Sequence, residues 1–342
     1  MPSLAPAPTP RRSWRSFVWL WLIAEDRVSN PVVLATAICA GDRRALARGL
    51  TLVERGGPDV RLLRQALTHV PAGHVVGITG APGAGKSTLT TALAQSMRQH
   101  QLTVGIIAID PSSPLSGGSL LGDRIRMYDL AGDSGVFIRS MANRGRLGGL
   151  AAATTDAALL LRAAGFDVIL LETVGAGQSD VAVADVADTV LLVEAPGMGD
   201  EVQSIKAGVL EVADVIAVSK SDRPDASATL QQLRALVRMH HPSEGVWQVP
   251  VVGVSAVART GIDALRDALL THRDWIATHP ATPRQMHRRR MALHRAIEMQ
   301  VMESIQQLPE WQQALQQLAD MACDVDEVAM TVIQRWRHIT ST

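Results

Sequence analysis

An α/β fold with a mostly parallel central sheet, covered by helices on both faces and extended by α-helices at both ends, is predicted from three observations. Short β-branched apolar runs alternate with helical patterns through the middle of the chain. The runs are His74–Thr79, Thr103–Ile109, Val136–Ile138, Asp167–Leu171, Thr189–Val193, Val215–Val218 and Val249–Val254. Such alternation marks parallel strands joined by crossover helices. The first run leads directly into Gly80-Ala81-Pro82-Gly83-Ala84-Gly85-Lys86-Ser87-Thr88, which satisfies G-x-x-x-x-G-K-[ST]. Beyond about Leu270 the strand-like runs stop and only helical patterns continue.

Taken in order, residues 1–10 are rich in Pro and Ala and read as an unstructured end. Arg11, Arg12 and Arg15 then precede the apolar run Phe17–Ala24. That run is too short to span a bilayer, Glu25-Asp26-Arg27 follows at once, and no small-x-small cleavage site is present. Residues 1–37 are therefore expected to be a tail and docking helix, with no membrane partner. From Ile38 to Leu67 the pattern is helical, broken at Gly56-Gly57-Pro58, so 38–72 is expected to be an N-terminal helical segment. Residues 73–272 form the expected nucleotide-binding domain, with helices at Ala151–Ala164, Gln203–Val212 and Ala226–Met239 between strands. The remaining 273–342 is expected to be a helical segment with stretches at Pro283–Gln307 and Glu310–Arg337. In the second of these Trp311, Leu315, Leu318 and Met321 recur at helical spacing, which suits packing within the chain or across a dimer. His287-Arg288-Arg289-Arg290 reads as a solvated helix face.

Composition narrows the function class. Formal charge balances at zero, so no global field favours nucleic acid. With 47% hydrophobic and 19% charged residues the chain can bury a full core. Its two cysteines, Cys39 and Cys323, have no metal-ligand spacing and suit a reducing, cytoplasmic setting.

The glycine-rich loop carries the chemistry. Glycines let successive backbone N–H groups turn inward on phosphate oxygens, and the following helix N-terminus adds partial positive charge. Lys86 is placed to reach the outer phosphates and Ser87 to ligate Mg²⁺. Acids close the next two strands of interest: Asp110 after Val104–Ile109 and Glu172 after Val168–Leu171. An acid at such a strand tip is where a phosphate-loop enzyme holds Mg²⁺, although it also suits a helix cap. Gly175 stands where a backbone N–H would sense a γ-phosphate, so that loss of this phosphate releases 176–180. The loop from Asp110 to Arg124 is rich in Pro, Ser and Gly. Its Asp123 is a candidate to reach Mg²⁺ or orient an attacking water, and Arg124 or Arg126 to offset developing charge.

Base identity is read further on. Ser219-Lys220-Ser221-Asp222 has the form of the guanine-reading N-K-x-D motif with Ser in first place. Asp222 would accept from the guanine ring N–H and its exocyclic amine, while the Lys220 stem packs on the ring. Adenine would leave that carboxylate unpaired, at a cost of roughly 1–3 kcal/mol. Ser255-Ala256 follows the last strand and matches the loop whose backbone meets the guanine oxygen. GTP is therefore expected over ATP, with GTP/GDP and Mg²⁺ as the bound groups.

With these residues in view the chain resembles the MeaB/ArgK family of P-loop GTPases, whose animal counterpart is the methylmalonic aciduria type A protein. The shared strings are Ala40–Arg48, Gly80–Thr88, Asp110–Pro114, Gly117–Arg124, Glu172–Ser179 and Gly199–Gly208. The resemblance implies a dimeric GTPase acting as chaperone of an adenosylcobalamin-dependent acyl-CoA mutase, chiefly methylmalonyl-CoA mutase. In that reading GTP binding and hydrolysis gate cofactor loading and protect the mutase. It also implies guanine-nucleotide contacts at Gly80–Thr88, Lys220, Asp222, Ser255, Ala256 and Val257. Mg²⁺ would be held by Ser87 with Asp110, Asp123 and Glu172, with Lys86 and Asp123 in the catalytic roles. A switch and partner surface would comprise Gly175, Gln178, Asp200, Glu201, Gln203 and Lys206. Two competing readings are a nucleotide-dependent binding module with incidental hydrolysis, and an ATP-using kinase or ATPase linked to basic amino-acid transport. Ser219 departs from the family's Asn, and the segment after about Thr271, which supplies dimer contacts in relatives, matches poorly.

Overall fold

The computed structural model describes residues 30–67, 70, 73–110, 130, 132–142, 149–173, 183, 185–197, 213–240, 247–279, 283–319 and 324–340. Three helices come first. α1 (Pro31–Cys39) is capped by Asn30, whose side chain accepts from Val32 N at 2.9 Å, with Pro31 opening the first turn. α2 (Arg43–Arg55) is capped by Asp42, which accepts from Arg44 N and Ala45 N. Gly56, in the left-handed region, ends it, and Pro58 starts α3 (Pro58–Ala66).

Alternation then sets in as expected: β1 (His74–Thr79), α4 (Lys86–Gln99), β2 (Val104–Asp110), β3 (Val136–Ala142), α5 (Gly149–Ala163), β4 (Val168–Thr173), β5 (Thr189–Glu194), β6 (Val215–Val218), α6 (Ala226–His240), β7 (Val251–Gly253) and α7 (Ile262–Thr278). The seven strands form one parallel sheet in the order β3-β2-β4-β1-β5-β6-β7. Strands β1, β4, β5 and β6 are buried along their whole length, which is why they read as unbroken apolar runs in the sequence.

Each face has its own core. On one, Leu34, Leu46, Leu50 and Leu63 of the N-terminal helices join Leu161 of α5 against Ile107, Ile169 and Val75. The other packs Leu89, Leu93 and Met97 of α4 with Leu265 and Leu269 of α7 against Ile78, Ile106 and Leu170. A third cluster seats Leu233 of α6 on Ile216 and Val218. Ion pairs pin the N-terminal helices to the sheet and to α5: Arg139 with Glu54 at 2.8 Å and Arg64 with Asp156 at 2.7 Å.

Arg266 ties α7 to α4, and it is only 6% exposed. Its guanidinium donates to Ser96 Oγ, His100 Nδ1 and Asp263 Oδ1 at 2.8–2.9 Å, and to Asp267 Oδ1 at 2.7–2.9 Å. Both carboxylates face solvent, so Arg266→Ala leaves no buried anion behind. The expected loss is that of the bonds to Ser96 and His100 and of the packed stem, about 1–3 kcal/mol in a urea melt.

Below the sheet, at the amino ends of the strands, Thr189 Oγ1 lies 2.8 Å from His74 Nε2 and 2.7 Å from His272 Nδ1. His272 Nε2 in turn faces Asp214 Oδ1 at 3.5 Å. Burial pushes His74 down to about 4, so it stays neutral and serves this network as a hydrogen-bonding group.

The last three helices, α8 (Pro283–Gln306), α9 (Pro309–Ala319) and α10 (Val325–Thr340), pack on one another. Ile305, Ala314, Val328 and Val332 form their core, with Trp311 and Trp336 against it. The structure differs here from the single stretch expected over Glu310–Arg337. Asp324 accepts from Asp326 N and starts a fresh helix whose first turn carries Asp326 and Glu327. Two expected boundaries also fall inside helices, that at 37/38 within α1 and that at 272/273 within α7. Leu34, Ala35 and Ile38 bury α1 in the same core as α2, which draws both sides of the first boundary into one unit. The helix expected at Gln203–Val212 lies outside the described residues. Among those described, no helix is long and apolar enough to cross a membrane.

Candidate functional site

All seven strands point the same way, so every loop that follows one opens at the same end of the sheet, where ligands of such sheets bind. The Gly80–Thr88 loop joins the central strand β1 to α4. Gly80 has φ 140°, and a Cβ built there would lie 2.1 Å from the Val193 carbonyl oxygen of β5, so only glycine fits. Gly83 and Gly85 also have positive φ, 77° and 88°. No side chain caps the amino end of α4, which leaves its first N–H groups facing the loop. Lys86 is buried and folds over the loop, its Nζ donating to Gly80 O at 2.6 Å and Ala81 O at 3.2 Å.

Ser87 and Glu172 come together. The Ser87 hydroxyl donates to Glu172 Oε1, and Glu172 stands in register between Ile78 of β1 and Ala108 of β2. A hydroxyl and a buried carboxylate at this spot are the hard oxygen donors that Mg²⁺ takes in ones and twos beside phosphates. The residues present fit that ion. Among the described residues no group of three or more His, Cys, Asp or Glu forms a self-sufficient metal cage. Asp110 ends β2, paired with Ala142, and its side chain lies outside the described set. Asp123, Gly175, Gln178, Asp200, Glu201, Gln203 and Lys206 also lie outside the described residues.

The base-reading loop hangs on the phosphate loop. Ser219 follows β6, and its Oγ donates to Ala84 O at 2.6 Å, with Glu194 O a second acceptor at 3.0 Å. The hydroxyl of Ser219 thus makes a direct tie to the phosphate loop, although it stands where the motif has Asn. Lys220, in the left-handed region at φ 51°, donates from Nζ to Gly83 O at 2.9 Å. Asp222 and Ser255, 33 residues apart in sequence, meet at the same corner. The Ser255 hydroxyl and the Asp222 backbone N–H hold the carboxyl below the usual range, so it is an acceptor at neutral pH. Ser255 and Thr260 exchange backbone hydrogen bonds across the turn that carries Ala256, and Val257 at its tip is 89% exposed.

One acid at this end escaped the sequence reading. Glu194 closes β5 as Asp110 closes β2, and Glu172 stands one residue before the end of β4; the apolar run seen in the sequence stops at Val193, one residue short of this acid. It is 3% exposed, and burial pushes its carboxyl up to about 7 against the opposing pull of Lys86.

Comparisons with known proteins agree with this geometry. Residues 46–336 match the family described as methylmalonyl Co-A mutase-associated GTPase MeaB. A Pyrococcus abyssi protein named as a GTPase is 49% identical over 239 residues, covering 69% of this chain and 74% of its own. The Escherichia coli GTPase ArgK is 37% identical over 238 residues, 67% of this chain and 72% of its own. The mouse mitochondrial methylmalonic aciduria type A homolog is 37% identical over 255 residues, 69% of this chain and 61% of its own. Among solved structures, a protein named LAO/AO transport system kinase superposes with a TM-score of 0.64 at 25% identity, covering 93% of this chain and 99% of that one. By its sequence, its parallel sheet and its phosphate loop, the chain belongs to the methylmalonyl-CoA mutase-associated GTPase (MeaB) family.

Proposed function

We propose that this protein is a cytoplasmic Mg²⁺-dependent GTPase that hydrolyses GTP to GDP and phosphate. We further propose that it uses that cycle to chaperone an adenosylcobalamin-dependent acyl-CoA mutase, methylmalonyl-CoA mutase first among them. The observation that carries the guanine reading is the join between the two loops. Ser219 and Lys220 bond to Ala84 and Gly83, and the acceptor Asp222 sits with Ser255 at that same corner. A base read by Asp222 would therefore sit at a fixed reach from phosphates held by the loop. Family membership and the name of the mouse relative support the mutase client.

In this mechanism the backbone N–H groups of Gly83–Ser87 bind phosphate oxygens, and Lys86 turns from its carbonyl acceptors to the outer phosphates. Ser87 and Glu172, with Asp110 and Asp123 as further candidates, would hold Mg²⁺, which neutralises charge on the β- and γ-phosphates when bound. Asp123 is the proposed group that orients the water for in-line attack. Gly175, Gln178, Asp200, Glu201, Gln203 and Lys206 are the proposed switch and partner contacts. A homodimer through the C-terminal helices is supported by Met286, Leu293 and Ile297, exposed apolar residues at helical spacing on α8.

Phosphate release from GTP and from ATP, with and without purified methylmalonyl-CoA mutase, tests this reading. Asp222→Ala is expected to shrink the GTP-over-ATP preference by about 5- to 150-fold, the equivalent of 1–3 kcal/mol. Stimulation by the mutase is expected only with GTP. A preference for ATP, or transfer of phosphate to an acceptor other than water, would favour the kinase reading instead.

A further inference from the structure

The C-terminal helices carry their charge in two separate blocks. Arg284, Arg288, Arg289, Arg290 and Arg295 fall in the first half of α8, and no acid lies between Arg284 and Arg295. From there to Gln334 the pattern inverts, with seven acids from Glu298 to Glu327 and no Lys or Arg. Formal charge over the whole chain is zero, so this is segregation and not excess. The fold leaves both blocks open. α8 enters the C-terminal core only with Val301, Met302 and Ile305, in its last two turns. Ahead of them Met286, Leu293 and Ile297 form an exposed stripe at i, i+7 and i+11, within about 40° of one another around the helix. Arg289 and Arg290 stand four and three residues before Leu293, on its side of the helix. α10 repeats this arrangement with the opposite sign. Its Met330 is exposed as well, and Asp326 and Glu327 stand four and three residues before it. All four charged residues are exposed, and none of them makes an ion pair among the described residues.

We propose that the exposed face of α8 is occupied by α10 of a second copy of this chain, and that the two charge blocks fix the pairing. Laid side by side in the same direction, Leu293 meets Met330 of the other copy, and the two arginines meet Asp326 and Glu327. A two-fold axis makes the contact twice, α8 on the partner's α10 and α10 on the partner's α8. The inference rests on the homodimer of the functional reading and assigns the surfaces and the charge pattern that such a dimer uses. About four turns of α8 run without a core of their own, and a stretch of that length is marginal in water unless its apolar stripe is covered. An anionic membrane or a nucleic acid suits the arginines alone, and the acids of the same helices would be repelled by either. A second copy satisfies both blocks at once, with apolar side chains at the centre of the contact and charges at its rim.

Sedimentation velocity on the intact chain over a concentration series reads the dimer directly. Wild type is expected to dimerise with a Kd that rises about tenfold between about 50 mM and about 500 mM NaCl, as salt screens the exposed pairs. Arg289→Glu with Arg290→Glu is expected to weaken the dimer about 10- to 100-fold, and so is Asp326→Arg with Glu327→Arg. Each double variant sets like charges against one another. The quadruple variant opposes them again and is expected to return to within about threefold of wild type. That return cannot come from damage to α10, whose first turn loses its acids in the quadruple variant as well. A wild-type dimer that neither weakens with salt nor responds to either reversal overturns this pairing and leaves the homodimer standing. A quadruple variant no tighter than the doubles overturns the pairing too. Wild type that stays monomeric at every concentration ends both the pairing and the homodimer. Binding of that monomer to phosphatidylserine vesicles, lost in Arg289→Glu with Arg290→Glu, would then give the arginines to an anionic surface instead.

Discussion

Gly80→Ala is expected to unfold the chain or strip it of a usable phosphate loop, at a cost of about 4 kcal/mol or more. Its φ of 140° already excludes most side chains, and the added Cβ would sit 2.1 Å from the Val193 carbonyl oxygen. Relief would require β1 and β5 to part, yet both strands are fully buried and hydrogen-bonded from Val76–Thr189 to Thr79–Leu192. Gly85→Ala is the control. Gly85 also has positive φ, but its added Cβ would find nothing nearer than Ser219 Oγ at 4.0 Å. That variant carries only backbone strain, about 1–2 kcal/mol. Urea melts of the two side by side distinguish close approach from φ alone, and similar midpoints would contradict the packing described for Gly80.

Lys86→Met is the second large effect. The side chain is buried and its ammonium rests on two loop carbonyls, so a methionine of similar length can fill the space without the charge. Folding is expected to survive, while single-turnover hydrolysis at saturating nucleotide falls by about 10²–10³. Because Lys86 sees phosphate and not base, the ratio of GTP to ATP turnover is expected to stay where it was. Asp222→Ala reverses this pattern, changing the ratio more than the rate. A Lys86→Met protein with undiminished turnover would remove the lysine from the mechanism.

Much of this architecture was legible because a parallel sheet buries both faces of its strands. Runs such as Val168–Leu171 and Val215–Val218 are then continuously apolar and hard to mistake. The phosphate loop was legible for a local reason, since its glycines and Lys86 work through their own backbone. Other features depend on tertiary approach. Helix α1 is apolar almost all round, so no periodicity marks it and the expected boundary at 37/38 falls inside it; its cap Asn30 and first-turn Pro31 are the local signals that the sequence reading passed over. Asp324 divided an expected single helix by the same kind of local signal. Ser219 looked like a defect in a motif, because only the folded chain shows that its shorter side chain still reaches Ala84 O. Glu194 carries the same strand-end signature as Glu172, but its buried setting is made by β1, β6 and the phosphate loop, none of them local to it.

The order of strands across the sheet also governs how the protein is born. Strand β1 is flanked by β4 and β5, and His74 waits for Val168 while Val76 waits for Thr189. At the pace of ribosomal synthesis, about 5–20 residues per second, the strand bearing the phosphate loop spends roughly 5–20 s outside the ribosome without either neighbour. Long-range parallel pairing of this kind is intrinsically slow to form. A nascent chain stopped before Thr189 has the whole Gly80–Thr88 motif in its sequence, yet no Val193 carbonyl for Gly80 to rest on. The nucleotide site is thus a late product of translation, and nucleotide can steady the chain only after β5 has docked.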